Sequence, residues 1–305
     1  MADSALVTEF AAAKINLWLH VTGRREDGYH LLDSLIAFAG VGDRLTLTRS
    51  DDLSLSLAGP FSEGLTTTSD NLVIRAATLL ASEAGIRPAA AITLEKNLPV
   101  ASGIGGGSAD AAAAIRGLSK LWNLSLPTEV TARIALRLGA DVPMCLAGQA
   151  ALASGIGEVL HPVGQMAPAW LVLVNPRVAI STPEIFRRRE NSFTDITTPA
   201  AGKLATLADL TAALRDRHND LQPPAIRLAP VIGEVLERLR GLSGCQHAAM
   251  SGSGATCFGL FEDRQTAEQA AGSLSSENSK WWSAAAPLLS DAIAQQTIAT
   301  ALSKP

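Results

Sequence analysis

The chain has 305 residues, 47% hydrophobic and 18% charged, with a formal net charge of −4 from 25 basic and 29 acidic side chains. That length exceeds the usual single domain, and the composition is that of a globular protein able to bury a full core. No run of Lys or Arg supplies the basic stripe that nucleic-acid binding needs, and no stretch approaches the ~18 continuous apolar residues of a membrane-spanning helix. Cys145, Cys245 and Cys257 are odd in number and lie in apolar stretches without metal spacing. They fit free thiols in a reducing compartment better than a disulfide framework, with a reactive thiol as the alternative. The opening Met1-Ala-Asp-Ser-Ala5 lacks the basic and apolar regions of a secretory leader. The expectation is a cytoplasmic protein that binds neither nucleic acid nor membrane.

Taken in chain order, Leu17 to Val21 and Arg44 to Leu57 cluster or alternate like strands, with a strict period of two over Leu53-Ser-Leu-Ser-Leu57. Asn71 to Ala84 has helical spacing, and Ala91-Ile-Thr-Leu94 is a short strand running into a glycine loop. Ser108 is placed to cap a helix reaching about Trp122, with Ile115, Leu118 and Trp122 along one face. A second helix follows Pro127-Thr128, stops at Gly139 and delivers Asp141 just beyond its end. Trp170 to Val174 reads as a strand and about 190–208 as a polar surface connection. A helix at about 229–240 precedes a second glycine loop, Met250-Ser-Gly-Ser-Gly-Ala-Thr256, with apolar Cys257-Phe-Gly-Leu-Phe261 after it. The tail from Ser273 is rich in Ala and Ser, and its Trp281 and Trp282 are read as packing of a terminal segment or a contact surface.

The first glycine loop carries the chemistry. Between Gly103 and Ala112 four glycines surround a turn that opens a helix. Without Cβ atoms, backbone N–H groups can converge on an anion beside the positive end of the helix dipole. A Walker A loop would need a Lys that is absent, and a Rossmann fingerprint starting at Gly103 would need Gly at Ser108. A ligand-free tight turn needs only one or two glycines, so a phosphate cradle is favoured. Asp110 reads as a first-turn carboxylate favourable to the dipole, or as a group facing Mg²⁺, with Ser108 the better candidate for a phosphate or metal contact.

Pro99-x-x-x-Gly-Ile-Gly-Gly-Gly-Ser-x-Asp-Ala-Ala112 resembles the phosphate loop of the GHMP kinase superfamily, named for galactokinase, homoserine kinase, mevalonate kinase and phosphomevalonate kinase. Ala13-Lys-Ile-Asn-Leu17, Asp27-Gly-Tyr-His30, Gly139-Ala-Asp-Val-Pro143, the second glycine loop and, more weakly, Asn219-Asp-Leu221 extend the resemblance from about residue 10 to 260 in the family's order. The triple glycine and Asp27-Gly-Tyr-His30 are most similar to the branch acting on an alcohol attached to cytidine diphosphate. Ile104 stands where Leu is usual, and Ala109, where a second Ser is common, has no hydroxyl to offer a metal or phosphate.

The resemblance implies an α+β, two-domain fold with the active site in the interdomain cleft. Residues 1–160 would hold ATP, and residues 161–305, ferredoxin-like, would hold much of the second substrate. It implies ATP, taken with Mg²⁺, as phosphoryl donor to an alcohol, bound along Pro99, Val100, Ala101, Ser102, Gly103, Ile104, Gly105, Gly106, Gly107 and Ser108. Asp141 would be the base that accepts the alcohol proton, and Lys14 its cationic partner facing the hydroxyl. Tyr29 would stack on cytosine, His30 would bond its edge, and Phe186, Thr182 and Asn16 would contact the same substrate. The second glycine loop either approaches that substrate or is a tight hairpin. Without the resemblance, Lys14 and Asp141 could be incidental and the chain a non-catalytic nucleotide-binding module; with it, a relative acting on mevalonate, homoserine or a sugar is the other alternative.

Overall fold

The structure is a computed structural model that describes residues 6–190, 192–196 and 204–289. Residues 1–5, read above for a leader, residues 191 and 197–203 of the polar connection, and residues 290–305 of the Ala- and Ser-rich tail lie outside that description.

The chain opens with a long antiparallel hairpin of β1 (Val7–Arg24) and β2 (His30–Thr48). The register runs from Val7 opposite Leu47 to Arg24 opposite His30. β1 is much longer than the strand expected at Leu17 to Val21. Residues 9–21 are buried without exception, so both faces are covered and no polar alternation marks the strand's length. The hairpin turn at 25–29 uses Gly28 at φ +92°, and the Arg25 N–H donates to the Tyr29 carbonyl at 2.7 Å. The strand region expected from Arg44 to Leu57 is in fact two strands. Between β2 and β3 (Leu53–Ala58), Arg49, Ser50, Asp51 and Asp52 are exposed in a polar turn.

α1 (Leu72–Ala84) starts where Asn71 accepts the Val73 N–H and stops at Gly85, φ +65°. β4 (Ala90–Glu95) lies parallel to β3 and antiparallel to β2, then leads through the glycine loop into α2 (Gly106–Leu121). α3 (Thr128–Leu138) ends at Gly139 as expected, and α4 (Val142–Ala147) begins directly after Asp141. These helices pack against β1, β2 and β4 through Phe10, Phe38, Leu47, Leu80, Ile92 and Leu118. The short hairpin β5 (Ala151–Ser154) and β6 (Val159–Pro162) extends from β2.

The second half contributes β7 (Trp170–Asn175), α5 (Thr182–Arg187), α6 (Leu207–Arg215), α7 (Gln222–Leu228) and α8 (Val231–Arg240). It closes with β8 (His247–Met250), β9 (Cys257–Phe261), α9 (Arg264–Glu277) and β10 (Trp282–Leu289). β10 pairs with β7 from Trp282 to Pro287 and then with β2 at Leu288 and Leu289, giving the order β3-β4-β2-β10-β7-β9-β8. The tail tryptophans are packing residues: Trp281 is buried, and Trp282 sits in β10 opposite Asn175.

His247, at the start of β8, is half-buried, and burial followed by the Arg240 guanidinium lowers its imidazole from 6.5 to about 4. Between those values the unfolded chain binds a proton that the folded chain does not. This contribution to stability is present above pH 6.5 and is lost as pH falls toward 4, by roughly 3 kcal/mol. Urea midpoints measured from pH 7 to 4 are expected to fall less steeply for His247→Gln than for the unsubstituted protein.

Candidate active site

The catalytic, ATP-binding and substrate-binding residues that the resemblance implies converge on one cleft of about 840 Å³ between the two halves of the chain; only Pro99, Val100 and Ile104 among them do not line it. Pro99 and Val100 border an adjoining cavity of about 230 Å³ with Asn71, Lys96 and Asp110, while Ala101, Gly106 and Gly107 border both. The Ile104 side chain is fully buried and only its backbone serves the site, its carbonyl accepting the Lys14 N–H at 2.9 Å.

Lys14 and Asn16 are two residues apart on β1 and so project to the same side of the strand. Lys14 Nζ donates to Asn16 Oδ1 at 2.8 Å and to Asp141 Oδ2 at 3.2 Å. The lysine side chain is 6% exposed, whereas Asp141, at the start of α4, is 41% exposed toward the cleft. Asn16 is oriented in turn by donating from Nδ2 to Ser34 Oγ at 2.8 Å, and Ser34 donates to the Trp18 carbonyl. The ammonium is therefore aimed by a buried chain of hydrogen bonds rather than left to rotate. Nearby Cys145 is no nucleophile: burial, then the charge of Asp141, pushes its thiol up to about 12.

α2 begins at Gly106 rather than under a Ser108 cap. Gly105 is the capping residue, at φ +65° and with no side-chain hydrogen bond, and Ser108 stands in the first turn. A glycine can adopt that left-handed conformation without strain, whereas Ser at this point would be strained. The consequence favours an anion. The N–H groups of Gly106, Gly107 and Ser108 have no intrahelical acceptor and face the cleft at the positive end of the helix.

The two glycine loops touch. Thr256 N–H donates to the Ser102 carbonyl at 3.1 Å, and buried Ser251 donates to the Gly103 carbonyl at 3.2 Å while accepting the Asn16 N–H at 3.1 Å. A Cβ on Gly103 would lie 2.6 Å from both Gly254 N and Ser251 O, and one on Gly252 2.6 Å from Gly103 O. The second loop is thus chiefly a support for the first, although Gly252 and Ser253 also border the cleft. Asn219 explains its own sequence motif here. Its Nδ2 donates to the Met250 and Gly252 carbonyls at 2.7 and 2.8 Å, holding the second loop closed.

At the other end of the cleft the His30 ring stacks on Phe186, with centroids 4.6 Å apart and planes 20° from parallel. These rings form one wall, beside Tyr29, which is 59% exposed. Thr182 lies within hydrogen-bond distance of Ser253 Oγ, 2.7 Å. Burial, then the charges of Arg24 and Arg189, lowers His30 below its ordinary value, so at neutral pH it is a neutral imidazole with one donor and one acceptor. Asp110 is not the first-turn carboxylate expected, because α2 starts at Gly106 and places it one turn in; it is buried, with Oδ2 2.6 Å from Lys96 Nζ. Burial, with Asp43 beside it, pushes its carboxyl well above the usual range against the pull of Lys96. Lys96 and Asp43 gave no signal in the sequence, since neither belongs to a spaced motif.

A cradle of free N–H groups facing a lysine–carboxylate pair suits phosphoryl transfer to an alcohol, which places the chain among the small-molecule kinases. Its sequence matches the GHMP kinases N terminal domain over residues 71–149 and the GHMP kinases C terminal domain over residues 199–280, and it belongs to that family. It is 50% identical over 280 residues to the 4-diphosphocytidyl-2-C-methyl-D-erythritol kinase of Paramagnetospirillum magneticum, covering 92% of this chain and 98% of the relative. A protein of the same name from Granulibacter bethesdensis is 53% identical over 268 residues, covering 86% of this chain and 87% of the relative. Among solved structures, a 4-(cytidine 5'-diphospho)-2C-methyl-D-erythritol kinase superposes with a TM-score of 0.76 at 36% identity, over 92% of this chain and 98% of that one. The homoserine kinase of Cytophaga hutchinsonii shares the fold, with a TM-score of 0.69 at 17% identity over 95% and 96% of the two chains.

The loop contact yields a direct test. Gly103→Ala places a methyl group 2.6 Å from two backbone atoms at a φ of +77°, so the phosphate loop must shift. Displacements of about 1 Å at a reacting centre cost on the order of 100-fold in rate. Turnover by the folded variant is expected to fall by about that factor, measured by steady-state kinetics alongside circular dichroism.

Proposed function

We propose that this chain transfers the γ-phosphoryl group of ATP to the 2-hydroxyl of 4-diphosphocytidyl-2-C-methyl-D-erythritol, a step in making isoprenoid precursors by the non-mevalonate route. The observation that carries this reading is the placement of Lys14 and Asp141 in the same cleft as the phosphate loop and the aromatic wall at His30 and Phe186. Relatives about half identical over nearly the whole chain, and named for that substrate, support it.

ATP lies with its phosphates on the N–H groups of 106–108, carrying Mg²⁺ as part of the substrate, and with its base in the adjoining cavity behind Val100 and Asn71. The Ser108 hydroxyl is within the same cradle. Asp141 accepts the proton of the alcohol as its oxygen attacks phosphorus, and the Lys14 ammonium stabilises charge on the alkoxide and the phosphoryl oxygens. Phosphoryl transfer asks chiefly for such positioning and charge stabilisation, which the buried Asn16–Ser34 chain provides. Tyr29 stacks on cytosine, and neutral His30, backed by Phe186, bonds its edge; Thr182 and Asn16 contact the rest of the substrate. In this reading the division near residue 160 separates an ATP-holding part from one that closes over the alcohol.

No helix among the described residues is long and apolar enough to cross a membrane. Cys145, Cys245 and Cys257 are free, and we place the protein in the cytoplasm on the ground that reduced, scattered cysteines belong to a reducing compartment. The net charge of −4 and the lack of a basic run favour small-molecule substrates over nucleic acid.

A coupled ADP-release assay over a panel of alcohols tests the activity: turnover with the diphosphocytidyl alcohol, and not with mevalonate or homoserine, is the expected outcome. Asp141→Asn and Lys14→Met are each expected to lower kcat by about 100-fold or more. Near-normal turnover in folded Asp141→Asn removes the proposed base. Base stacking contributes about 1–3 kcal/mol, so Tyr29→Ala is expected to raise KM for the cytidyl substrate by roughly 5- to 150-fold and leave KM for ATP unchanged.

A further inference from the structure

Both ends of the phosphate loop are tied to one buried lysine that the transfer chemistry does not use. Lys96 follows the last residue of β4, where the chain enters the loop, and Asp110 lies one turn into α2, where it leaves. Asp43, on β2, is the lysine's other carboxylate partner. Lys96 Nζ donates to Asp43 Oδ2 and, at 2.6 Å, to Asp110 Oδ2. The other oxygen of Asp43 accepts the N–H groups of Asn97 and Leu98 at 2.6 and 2.9 Å. The three side chains are at most 5% exposed. The cluster stands directly behind the cradle: a Cβ on Gly106 would lie 3.5 Å from Lys96 Nζ and 3.7 Å from Asp43 Oδ2.

Holding three ionisable groups out of water is costly, and well-packed apolar side chains would stabilise the fold as well or better. What apolar packing cannot supply is direction. The Asp43 carboxylate, through two backbone bonds and one ammonium, sets the entry strand, the loop's first residues and the first turn of α2 relative to one another. It also cannot supply balance. Asp110 Oδ1 is buried without a partner among the described residues, beside the cavity that adjoins the cradle. A bare carboxylate there would repel phosphate, and the Lys96 ammonium offsets it; the carboxyl's raised position, caused by burial, acts in the same direction.

We propose that Lys96 is a positioning residue for the transfer: clamped between Asp43 and Asp110, it holds the two ends of the phosphate loop at the spacing that ATP requires. It acts through the backbone of 97–98 and 106–110, not on the reacting atoms. This rests on the reading of the loop as an ATP cradle.

The test uses the full chain, with ATP affinity read by calorimetry and both KM values read in the coupled assay. Lys96→Met is expected to weaken ATP binding and raise KM for ATP at least 10-fold, with KM for the cytidyl alcohol changed less than 3-fold. Because that variant leaves two carboxylates without their cation, a second variant, Lys96→Met with Asp110→Leu, removes much of the penalty and is expected to melt near the unsubstituted protein while keeping the ATP defect. An unchanged KM for ATP in either folded variant, recovery of ATP affinity in the double variant, or equal increases in both KM values overturns the clamp. An unsubstituted protein that binds no ATP overturns the kinase reading instead, and the clamp with it.

Discussion

The two glycine loops of the site approach each other closely, with Gly103 meeting Ser251, Gly252 and Gly254 and leaving no room for a side chain. That steric limit places the start of α2, and its unpaired N–H groups, against the second half of the chain. β1 runs through the same junction, giving its Lys14 N–H to Ile104 and its Asn16 N–H to Ser251. Because residues two apart on a strand share a side, this backbone placement fixes where the Lys14 ammonium and the Asn16 amide emerge. The cradle of free N–H groups and the lysine that faces it are therefore positioned by one set of contacts.

A second consequence concerns charge. The glycines at 105 and 106 lie between two buried lysines: a Cβ on Gly105 would lie 3.3 Å from Lys14 Cβ, and one on Gly106 3.5 Å from Lys96 Nζ. Each lysine is matched by carboxylates, Lys14 by Asp141 and Lys96 by Asp43 and Asp110. In a poorly solvated site such pairing is what keeps an ammonium charged and aimed. The two pairs differ in access. Asp141 is well exposed to the cleft, whereas Asp43 and Asp110 are sealed behind the loop. The same residue types thus stand on both sides of the glycines, open to the cleft on one side and sealed from it on the other.

The sheet carries this arrangement across the molecule. β10 pairs with β7 along most of its length and with β2 at its end, so a strand that begins 234 residues after β2 ends completes the first half's sheet. The cleft walls are joined by backbone hydrogen bonds as well as by side-chain packing.

Much of the site could be read in the sequence. Glycines at 103 and 105–107, Asn71 and Gly85 at the ends of a helix, Gly139 ahead of Asp141, and the second glycine loop all act on the backbone within a few residues of themselves, and such local effects leave a local pattern. The family resemblance then supplied roles for Lys14, Asn16, Tyr29, His30 and Asp141 that spacing could not. Other features had no local trace. The length of β1 was hidden because both its faces are buried, and Ser108 looked like a cap because the left-handed turn at Gly105 was not visible. The partner of Asp110 lies 14 residues away and that partner's other carboxylate 53 residues from it, while the His30–Phe186 stack spans the two halves. Sequence by itself determined where the backbone turns, caps and frees its N–H groups, since those depend on neighbouring residues. Which charges meet, which stay dry and which face the cleft was decided only by tertiary structure, because pairing across a sheet is set by register and packing between segments that the chain order does not bring together.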